Sequence, residues 1–379
     1  MADNKDKKVL NVPALRFPEF TGEWERHKLS EVCSFYSGGT PSSSKKEYYN
    51  GNIPFIRSGE LHKDYTELFI TEAGLSNSAA KLVETGDLLL ALYGATSGDI
   101  AISKIKGAIN QAILCIRTKQ NKKFIESVWN KHVERLLQTY LQGGQGNLSA
   151  DIVKNIPFYF ANSNEQDKLA KFISLLDERI ATQNKIIEDL RLLRDAISVC
   201  LLSPKSDWKC YKVSEIADIG RGRVISSKEI ANQNNPQYPV YSSQTSNEGV
   251  MGYLDNYAFD GEYITWTTDG ANAGTVFYRN GRFNCTNVCG TLKLHYQFDA
   301  YYCSLVLANA TKKYVSVNLA NPKLMNNTMA AIKLYLPPFQ EQKRMAQLFR
   351  KMDENITLEH KLLLSYQKQK HYLLQQMFI

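Results

Sequence analysis

The sequence predicts an α+β protein in which a mixed α/β unit and a long helix both occur twice. Two observations predict this fold class. The run EQDKLAKFISLLDERI, which begins at Glu165, aligns without a gap with EQKRMAQLFRKMDENI, which begins at Glu341, at an offset of 176 residues. Apolar residues in both runs recur at three- and four-residue steps, the spacing that places them on one face of a helix.

The duplication extends into the sequence that precedes each helical run. The glycines at 94 and 98 of YGATSGD match those at 270 and 274 of TDGANAGT at the same offset. Trp24, followed by LSEV, pairs with Trp208, followed by VSEI. The predicted order is therefore globular unit, helix, globular unit, helix, which is a pseudo-two-fold internal repeat.

Each helical run, about 38 residues long, would form a helix of about 57 Å. Equal lengths and matched polar breaks, Gln183 with Glu359 and Arg194 with Lys370, favour an antiparallel coiled-coil pair over two independent surface helices. The apolar residues predicted to pack in this pair are Leu169, Ile173, Leu176, Ile180, Ile187, Leu190, Met345, Phe349, Met352, Ile356, Leu363 and Tyr366.

The globular units contain short apolar runs bounded by Gly, Asn and Asp turns, with shorter helical stretches near Lys123 to Leu141 and Ala300 to Lys313. Both units are therefore predicted to be mixed α and β. The predicted divisions are an N-terminal segment 1–23, a first globular domain 24–160, a first long helix 161–203, a second globular domain 204–336 and a second long helix 337–379.

Composition narrows the class of protein. The 379 residues, 43% hydrophobic and 22% charged, suit two folded domains, and the net charge of +8 suits a polyanionic partner. The amino terminus lacks the apolar core of a signal peptide, and no apolar stretch is long enough to cross a membrane, so we expect a cytoplasmic protein. Seven cysteines without a C-x-x-C pair favour free thiols over zinc ligands.

At several places the sequence resembles the specificity (S) subunits of type I restriction-modification systems. LRFPEFTGEWERHKLSEVCSFYSGGTP is similar to the usual opening of that family, and LVETGDLLLALYGATSGDIAI and ITWTTDGANAGTVFYRNGRFNCTNVCG are similar to parts of its target recognition domains. NLSADIVKNIPF and LPPFQEQKRMAQL, each before a long helix, resemble its repeated helical regions. One departure is visible, because the first copy lacks the proline that usually precedes Glu-Gln.

The resemblance implies a sequence-specific DNA-binding subunit without catalytic activity, in which each target recognition domain reads one half of a bipartite, asymmetric target. It implies double-stranded DNA, two modification (methyltransferase) subunits and restriction (motor-nuclease) subunits as partners, and no membrane. It also implies no cofactor in this chain, with S-adenosylmethionine, ATP and Mg on the partner subunits.

Enzyme alternatives have weaker support in the residues. The run Asn155-Ile156-Pro157-Phe158 resembles the catalytic loop of an adenine methyltransferase but lacks its second proline, and its partner in the second copy is unlike it. Glu341-Gln342-Lys343 has the E-x-K form of a nuclease, yet acidic residues at a helix start are explained by the helix dipole. A scaffold or RNA-binding protein stays possible, although no aromatic RNA-binding strand motif is present.

DNA reading requires polar side chains on base edges and cations on phosphates, so polar loops are the candidate contacts. For any single residue, a solvated charge or a simple turn residue is an equally good interpretation. Arg279 and Arg282 are further candidate phosphate contacts in the second unit. The candidates are Gly39, Thr40, Lys45, Lys46, Arg57, Ser58, Tyr93, Thr96, Gln145 and Asn147 in the first unit, and Arg221, Arg223, Tyr241, Ser242, Ser243, Gln244, Thr245, Asp269, Asn272, Lys312 and Lys313 in the second. No catalytic or metal-binding residue is predicted.

Overall fold

A computed structural model describes residues 10–141, 148–316 and 321–379. The chain divides into two compact units, one formed by residues 1–185 with 361–379 and the other by residues 186–360. Each unit therefore contains part of both long helices as well as one mixed α/β region. The predicted fold class is confirmed, whereas the domain boundaries given above stay a prediction.

The described residues of unit 1 form three sheets. Their strands are β1 (Glu25–Lys28), β2 (Cys33–Ser37), β3 (Tyr49–Ile56), β4 (Phe69–Ile70), β5 (Lys81–Val83), β6 (Leu88–Ala91), β7 (Ile100–Ile102), β8 (Gly107–Ile109), β9 (Ile113–Thr118) and β10 (Pro157–Phe160). The orders are β1-β10, β2-β9-β6-β7 and β4-β3-β8-β5. All pairings are antiparallel except the parallel contact of β3 with β8.

Within the described ranges, four α-helices accompany these sheets, and a fifth begins here and continues into unit 2. They are α1 (Leu29–Val32), α2 (Glu72–Ser76), α3 (Lys122–Leu141), α4 (Ala150–Asn155) and α5 (Ser163–Leu201). The N–H of Glu165 donates to Asn162 Oδ1 at 3.0 Å, so an asparagine side chain caps the start of α5. The core of the unit packs Trp24, Phe124 and Trp129 against apolar residues of the long helices.

The described residues of unit 2 contain eight strands in two sheets. They are β11 (Lys209–Lys212), β12 (Ala217–Arg221), β13 (Tyr238–Tyr241), β14 (Val250–Leu254), β15 (Phe259–Thr267), β16 (Val276–Cys285), β17 (Cys289–Leu294) and β18 (Lys333–Leu336). β11 pairs with β18, and the other six form one sheet in the order β12-β17-β15-β16-β13-β14. The contact of β13 with β16 is parallel, like that of β3 with β8.

The helices of unit 2 are α6 (Val213–Ile216), α7 (Ser227–Ala231), α8 (Ala300–Thr311), α9 (Asn326–Ala331) and α10 (Phe339–Met377), the last of which ends in unit 1. Pro337 and Pro338 stand immediately before α10, where a missing N–H costs no helical hydrogen bond. The core packs Trp208, Trp266 and Tyr302 against Met345 and Phe349 of α10.

Within each unit the two long helices run antiparallel. In unit 1 the Arg179 guanidinium donates to the Tyr366 hydroxyl at 2.7 Å, and Asp177 forms an ion pair with Lys370. In unit 2 Arg194 forms an ion pair with Asp353. Along these contacts, residue numbers therefore increase on α5 as they decrease on α10.

The twelve apolar positions predicted for the helix pair are all at least partly buried. Leu169, Ile173, Ile187, Met345, Phe349 and Leu363 are fully buried, and Leu176, Ile180, Leu190, Met352, Ile356 and Tyr366 are half-buried. Leu169 and Ile173 belong to the core of unit 1, and Met345 and Phe349 to that of unit 2. Some of these side chains are therefore buried by contacts with the globular cores as well as with the opposite helix.

Candidate nucleic-acid interface

The most regular feature outside the helices is a turn that occurs once in each unit, at residues 91–99 and 267–275. Each turn is closed by the same backbone hydrogen bonds at an offset of 176 residues. The first turn has Gly98 N to Ala91 O (2.9 Å), Asp99 N to Thr96 O (2.9 Å) and Leu148 N to Leu92 O (3.0 Å). The second has Gly274 N to Thr267 O (2.8 Å), Thr275 N to Asn272 O (3.1 Å) and Leu324 N to Thr268 O (2.9 Å).

The glycines of these turns are required by the backbone. Gly98 has a φ of 87° and Gly274 a φ of 82°, in the left-handed region that other L-residues seldom adopt. A Cβ on Gly98 would lie 2.9 Å from Val133 Cγ2, and one on Gly274 would lie 2.7 Å from Val315 Cγ2. The glycines detected in the sequence therefore fix two equivalent turns, which we name turn 1 (91–99) and turn 2 (267–275).

The side chains that the two turns present are different. Turn 1 carries Tyr93, exposed over 37% of its surface, and the half-buried Thr96. Turn 2 carries Asp269 and the exposed Asn272 at the equivalent positions. The carboxylate of Asp269 lies 3.5 Å from both Arg221 Nη2 and Lys323 Nζ. The same backbone thus presents one set of polar groups in unit 1 and another in unit 2.

The other candidates of unit 1 lie in two loops. Thr40 donates to Gln111 Oε1 at 2.6 Å, while Gly39 is buried against Ala79. Lys45 and Lys46 are both exposed, and Lys45 Nζ donates to the Tyr48 hydroxyl at 3.0 Å. In the second loop, next to half-buried Ser58, the guanidinium of Arg57 is held by the carboxylates of Glu60 at 2.7 Å and Glu67 at 3.0 Å. Gln145 and Asn147 lie outside the described residues.

In unit 2, the candidate arginines Arg221 and Arg223 are held in internal ion pairs. Arg221 pairs with Asp269 and donates from Nη2 to Thr268 Oγ1 at 3.0 Å. Arg223 pairs with Glu229 through both terminal nitrogens, and this contact raises its pKa above the ordinary arginine value. A DNA phosphate would have to compete with these carboxylates or share the guanidinium with them.

Tyr241 ends β13, and Ser242 to Thr245 begin the loop that follows it. Tyr241 is half-buried, and burial raises the pKa of its phenol. The amide of Gln244 donates to the carbonyl of Val250, and the N–H of Ser242 donates to Gly249 O at 2.9 Å. Ser243 is half-buried and Thr245 exposed. The exposed Lys312 and Lys313 follow directly after α8, in a separate part of the same unit.

Arg279 requires a correction. The sequence placed it among surface cations, but it lies in β16 and is only 5% exposed. Burial lowers the pKa of its guanidinium below the usual arginine value. Because the guanidinium is enclosed by Tyr241, Phe277 and the loop after β13, its assignment as a direct phosphate contact is wrong.

Within the described ranges, no group of three His, Cys, Asp or Glu side chains is arranged to hold a metal ion, and no helix is long and apolar enough to span a membrane. None of the seven cysteines, all of which lie in the described ranges, forms a disulfide bond. The run Asn155 to Phe158 forms the end of α4 and the start of β10, and the matching segment in unit 2 leads in the same way into β18.

The fold is that of a tandem-repeat α+β protein, in which a long helix follows each copy of the α/β unit. Comparison with known proteins then gives the family. Residues 21–192 and 205–365 each match the type I restriction modification DNA specificity domain, and together they cover most of the chain. The chain belongs to this family, whose members are specificity subunits, the non-catalytic component of type I restriction-modification systems.

The relatives agree with this assignment. A putative type I specificity subunit (N-terminus) of Mycoplasma pneumoniae is 46% identical over 140 residues, 36% of this chain and 74% of the relative. A second putative type I specificity subunit of M. pneumoniae is 40% identical over 38% of this chain, and the type I restriction enzyme MpnII specificity subunit of that organism is 41% identical over 37%. The matches span 40% and 42% of these last two relatives.

Two solved structures share the fold. The S subunit of a type I restriction-modification system from M. genitalium superimposes with a TM-score of 0.66, covering 97% of this chain and 99% of its own, at 18% identity. A chain from a study of complex assembly and conformational transition of the type I system superimposes with a TM-score of 0.58, covering 93% and 96%, at 14% identity. At these identities the likeness concerns the fold.

Proposed function

We propose that this chain reads a bipartite, asymmetric target in double-stranded DNA, with one half read by each unit, and directs modification and restriction subunits to it. The observation that carries the proposal is the pair of equivalent turns. Turn 1 and turn 2 have the same backbone hydrogen bonds but present different side chains. One scaffold used twice, with different polar groups, is suited to two different half-sites.

The chemistry of these side chains suits base edges. An asparagine such as Asn272 can donate to N7 and accept from N6 of adenine, and a carboxylate such as Asp269 can accept from N4 of cytosine. Tyr93 and Thr96 offer hydroxyl groups and apolar surface at the equivalent positions. The exposed cations Lys45, Lys46, Lys312 and Lys313 are suited to phosphate contacts that add affinity in both units.

The long helices support the proposal that partner subunits bind them. In unit 2, α5 exposes Leu192, Leu193 and Val199 over 62%, 53% and 73% of their surfaces. In unit 1, Leu175 of α5 and Leu364 of α10 are exposed over 55% and 54%. Exposed apolar side chains on a helix surface are suited to contact with a protein partner. Because each unit contributes such residues, we propose one modification subunit for each.

We propose that the chain carries no cofactor and that S-adenosylmethionine, ATP and Mg are bound by the partner subunits, in the cytoplasm where the DNA lies. The purified chain alone should neither transfer a methyl group from S-adenosylmethionine to DNA nor cut it. Turnover by a homogeneous preparation would contradict this proposal.

The experiment that tests the reading function is to sequence modified adenines in cells that express the modification subunits, with and without this chain. We expect one asymmetric motif of two specific parts and a non-specific spacer, present only with the chain. Tyr93→Ala with Thr96→Ala should relax one part of the motif, and Asn272→Ala the other. A motif that is continuous, or that relaxes throughout in both variants, would contradict the proposal.

A further inference from the structure

In each unit, a loop follows the strand that forms the parallel pairing, which is β3 in unit 1 and β13 in unit 2. In unit 1, Phe55 and Ile56 pair with Ala108 and Ile109, and in unit 2, Val240 and Tyr241 pair with Asn284 and Cys285. The residues that pair with Phe55 and Val240 are Ala108 and Asn284, which are 176 residues apart. We therefore treat β3 and β13 as equivalent strands. The loops that follow them, which we name loop 1 (57–66) and loop 2 (242–249), therefore begin at equivalent places.

Loop 1 is organised around a buried anion. The carboxylate of Glu60 is 4% exposed and lies inside the loop. It accepts hydrogen bonds from the backbone N–H of Arg57 at 3.0 Å, from the Arg57 guanidinium at 2.7 Å and from the Thr66 hydroxyl at 3.0 Å. One carboxylate thus connects the beginning of the loop to its end.

Loop 2 is organised around a buried cation. Arg279, on β16, donates to the carbonyl oxygen of Glu248 at 2.6 Å and to Thr265 Oγ1 at 3.3 Å. Its guanidinium lies 3.6 Å from the ring centroid of Tyr241 and 4.4 Å from that of Phe277. In the described part of the chain it forms no ion pair with a carboxylate.

The conformation of loop 2 depends on this contact. Asn247 has a φ of 48° and Glu248 a φ of 52°, and Gly249 follows with a φ of 84°. Asparagine tolerates the left-handed region, but glutamate adopts it at a cost in free energy. The hydrogen bond from Arg279 holds the carbonyl of Glu248, the strained residue, and the neighbouring Asn247 is exposed.

A buried charge is an expensive way to fill a core, because an apolar side chain of similar size would avoid the desolvation penalty. Here the two equivalent loops contain opposite buried charges, Glu60 at loop 1 and Arg279 at loop 2. Each charge forms hydrogen bonds only with its own loop or with the adjoining strand. This pattern differs from the turns, whose backbone bonds are the same in both units. The charges therefore account for a difference between the two loops and not for the shared fold.

We propose that Glu60 and Arg279 are positioning residues that set the base preference of one half-site each, by fixing loop 1 and loop 2 as a second reading element beside the turns. This proposal rests on the function proposed above. The exposed side chains that these loops would bring to the DNA are Tyr65 in loop 1, which is 57% exposed, and Asn247 in loop 2.

The test uses the full chain assembled with its modification subunits and a library of targets randomised in both half-sites. We expect Glu60→Gln to reduce discrimination at one or more bases of one half-site at least tenfold and to leave the other half-site unchanged. Arg279→Met should do the same to the opposite half-site. Arg279→Lys should restore part of the discrimination, since it keeps the cation but loses the planar stacking.

Matched controls separate positioning from stability. Asp87→Asn removes a buried carboxylate of unit 1 that pairs with Arg117 outside loop 1, and Arg350→Lys changes an arginine of unit 2 that stacks on Tyr278. Both should lower the melting temperature without changing base preference. If Glu60→Gln or Arg279→Met does not fold, Tyr65→Ala and Asn247→Gly change the exposed side chains alone and should relax the same half-sites.

The outcomes distinguish the two proposals. A wild-type complex without a two-part base preference would contradict the proposed function. A wild-type preference that both Glu60→Gln and Arg279→Met leave unchanged, or that they weaken equally in both half-sites, would overturn the role of these two residues only. Unchanged preference in Tyr65→Ala and Asn247→Gly would likewise overturn it.

Discussion

Gln166 and Gln342 make the same pair of hydrogen bonds in the two units. Each is buried near the start of a long helix, and its side-chain amide donates to the carbonyl oxygen five residues earlier, at 2.7 Å to Ala161 and 2.8 Å to Pro337. Each side-chain oxygen accepts, at 3.1 Å, a backbone N–H at the start of a shorter helix, from Asn121 and Asp299 respectively. The repeated glutamine thus joins each long helix to its globular region.

Replacing either glutamine should therefore destabilise the protein. We expect Gln166→Ala and Gln342→Ala each to lower the free energy of unfolding by about 1–3 kcal/mol, because a buried N–H and a buried carbonyl lose their partners. Urea unfolding followed by circular dichroism would measure this. Gln347→Ala, an exposed position on α10, is the control and should change stability by less than about 0.5 kcal/mol. Equal effects at 342 and 347 would contradict the assigned role.

The glycines that close the two turns give a second stability prediction. We expect Gly98→Ala and Gly274→Ala each to cost about 2 kcal/mol or more, because alanine is strained at a φ of 87° or 82° and its Cβ would crowd a valine. Gly22→Ala, where a Cβ would meet no atom within 4 Å, is the matched control. Thermal unfolding of the three variants would show whether the turns require glycine.

These turns also show what the sequence could predict. Glycines at 94, 98, 270 and 274 recur at a fixed offset because each satisfies a backbone requirement, and such a requirement is visible in residue type alone. The long helices were predictable for a similar reason, since their apolar spacing is local. The helix predicted near Lys123 to Leu141 is α3, observed from Lys122 to Leu141.

The partners of charged residues could not be predicted from the sequence. Arg279 was interpreted as a surface cation because arginine is seldom buried, and nothing in the sequence places Tyr241 and Phe277 on either side of it. Arg221 was a candidate DNA contact, yet its partner Asp269 is 48 residues away in the chain. Such contacts depend on the sheet order, which local patterns do not specify.

The buried carboxylate of Glu60 predicts a specific loss of stability in acid. Burial alone would raise its pKa, but the hydrogen bonds from Arg57 and Thr66 and the charge of Arg57 outweigh it and lower the pKa from the usual 4.5 to about 2. A lowered folded-state pKa stabilises the protein above the unfolded-state pKa, and this contribution is lost as the pH falls from about 4.5 towards 2. Its size at neutral pH is of the order of 3 kcal/mol.

Unfolding measured between pH 2 and pH 7 checks this. The stability difference between wild type and Glu60→Gln should be largest at neutral pH and shrink as the pH falls below about 4.5. Glu67→Gln is the control, because Glu67 contacts the same guanidinium but its side chain is 68% exposed. An ion pair at such an exposed position adds little to the free energy of unfolding. A difference between wild type and Glu60→Gln that stays constant across the pH range would contradict the lowered pKa.

The exposed lysines of unit 1 give a prediction for DNA affinity. If Lys45 and Lys46 contact phosphates, the logarithm of the binding constant should fall with the logarithm of salt concentration by about 0.9 per contact. Replacing both by alanine should flatten this slope by nearly 2. Lys351→Ala, which removes an exposed cation from α10, should leave the slope unchanged. Titrations between 50 and 300 mM salt would measure the slope, and an unchanged value in the double variant would remove this loop from the interface.

The globular part of unit 2 has both of its ends in one small sheet. β11 pairs with β18 in antiparallel register, so that Lys209 lies opposite Leu336 and Lys212 opposite Lys333. The chain therefore enters and leaves this region at neighbouring points, and the segment between them forms its own sheet and core. A segment with adjacent ends can be exchanged without lengthening or shortening either long helix.

Exchanging residues 208–336 for the matching segment of another specificity subunit should therefore change one half of the DNA target and leave the other half intact. The reason is that turn 1, loop 1 and the lysines of unit 1 are untouched, while turn 2 and loop 2 are replaced together. Sequencing modified adenines in cells that carry the chimera and the modification subunits would identify the new half. In the chimera, the foreign residue that aligns with Asn272 can then be replaced by alanine. This change should relax the base preference of the new half only. If both halves changed together, the two units would be reading the DNA jointly, and the division of the target between them would be wrong.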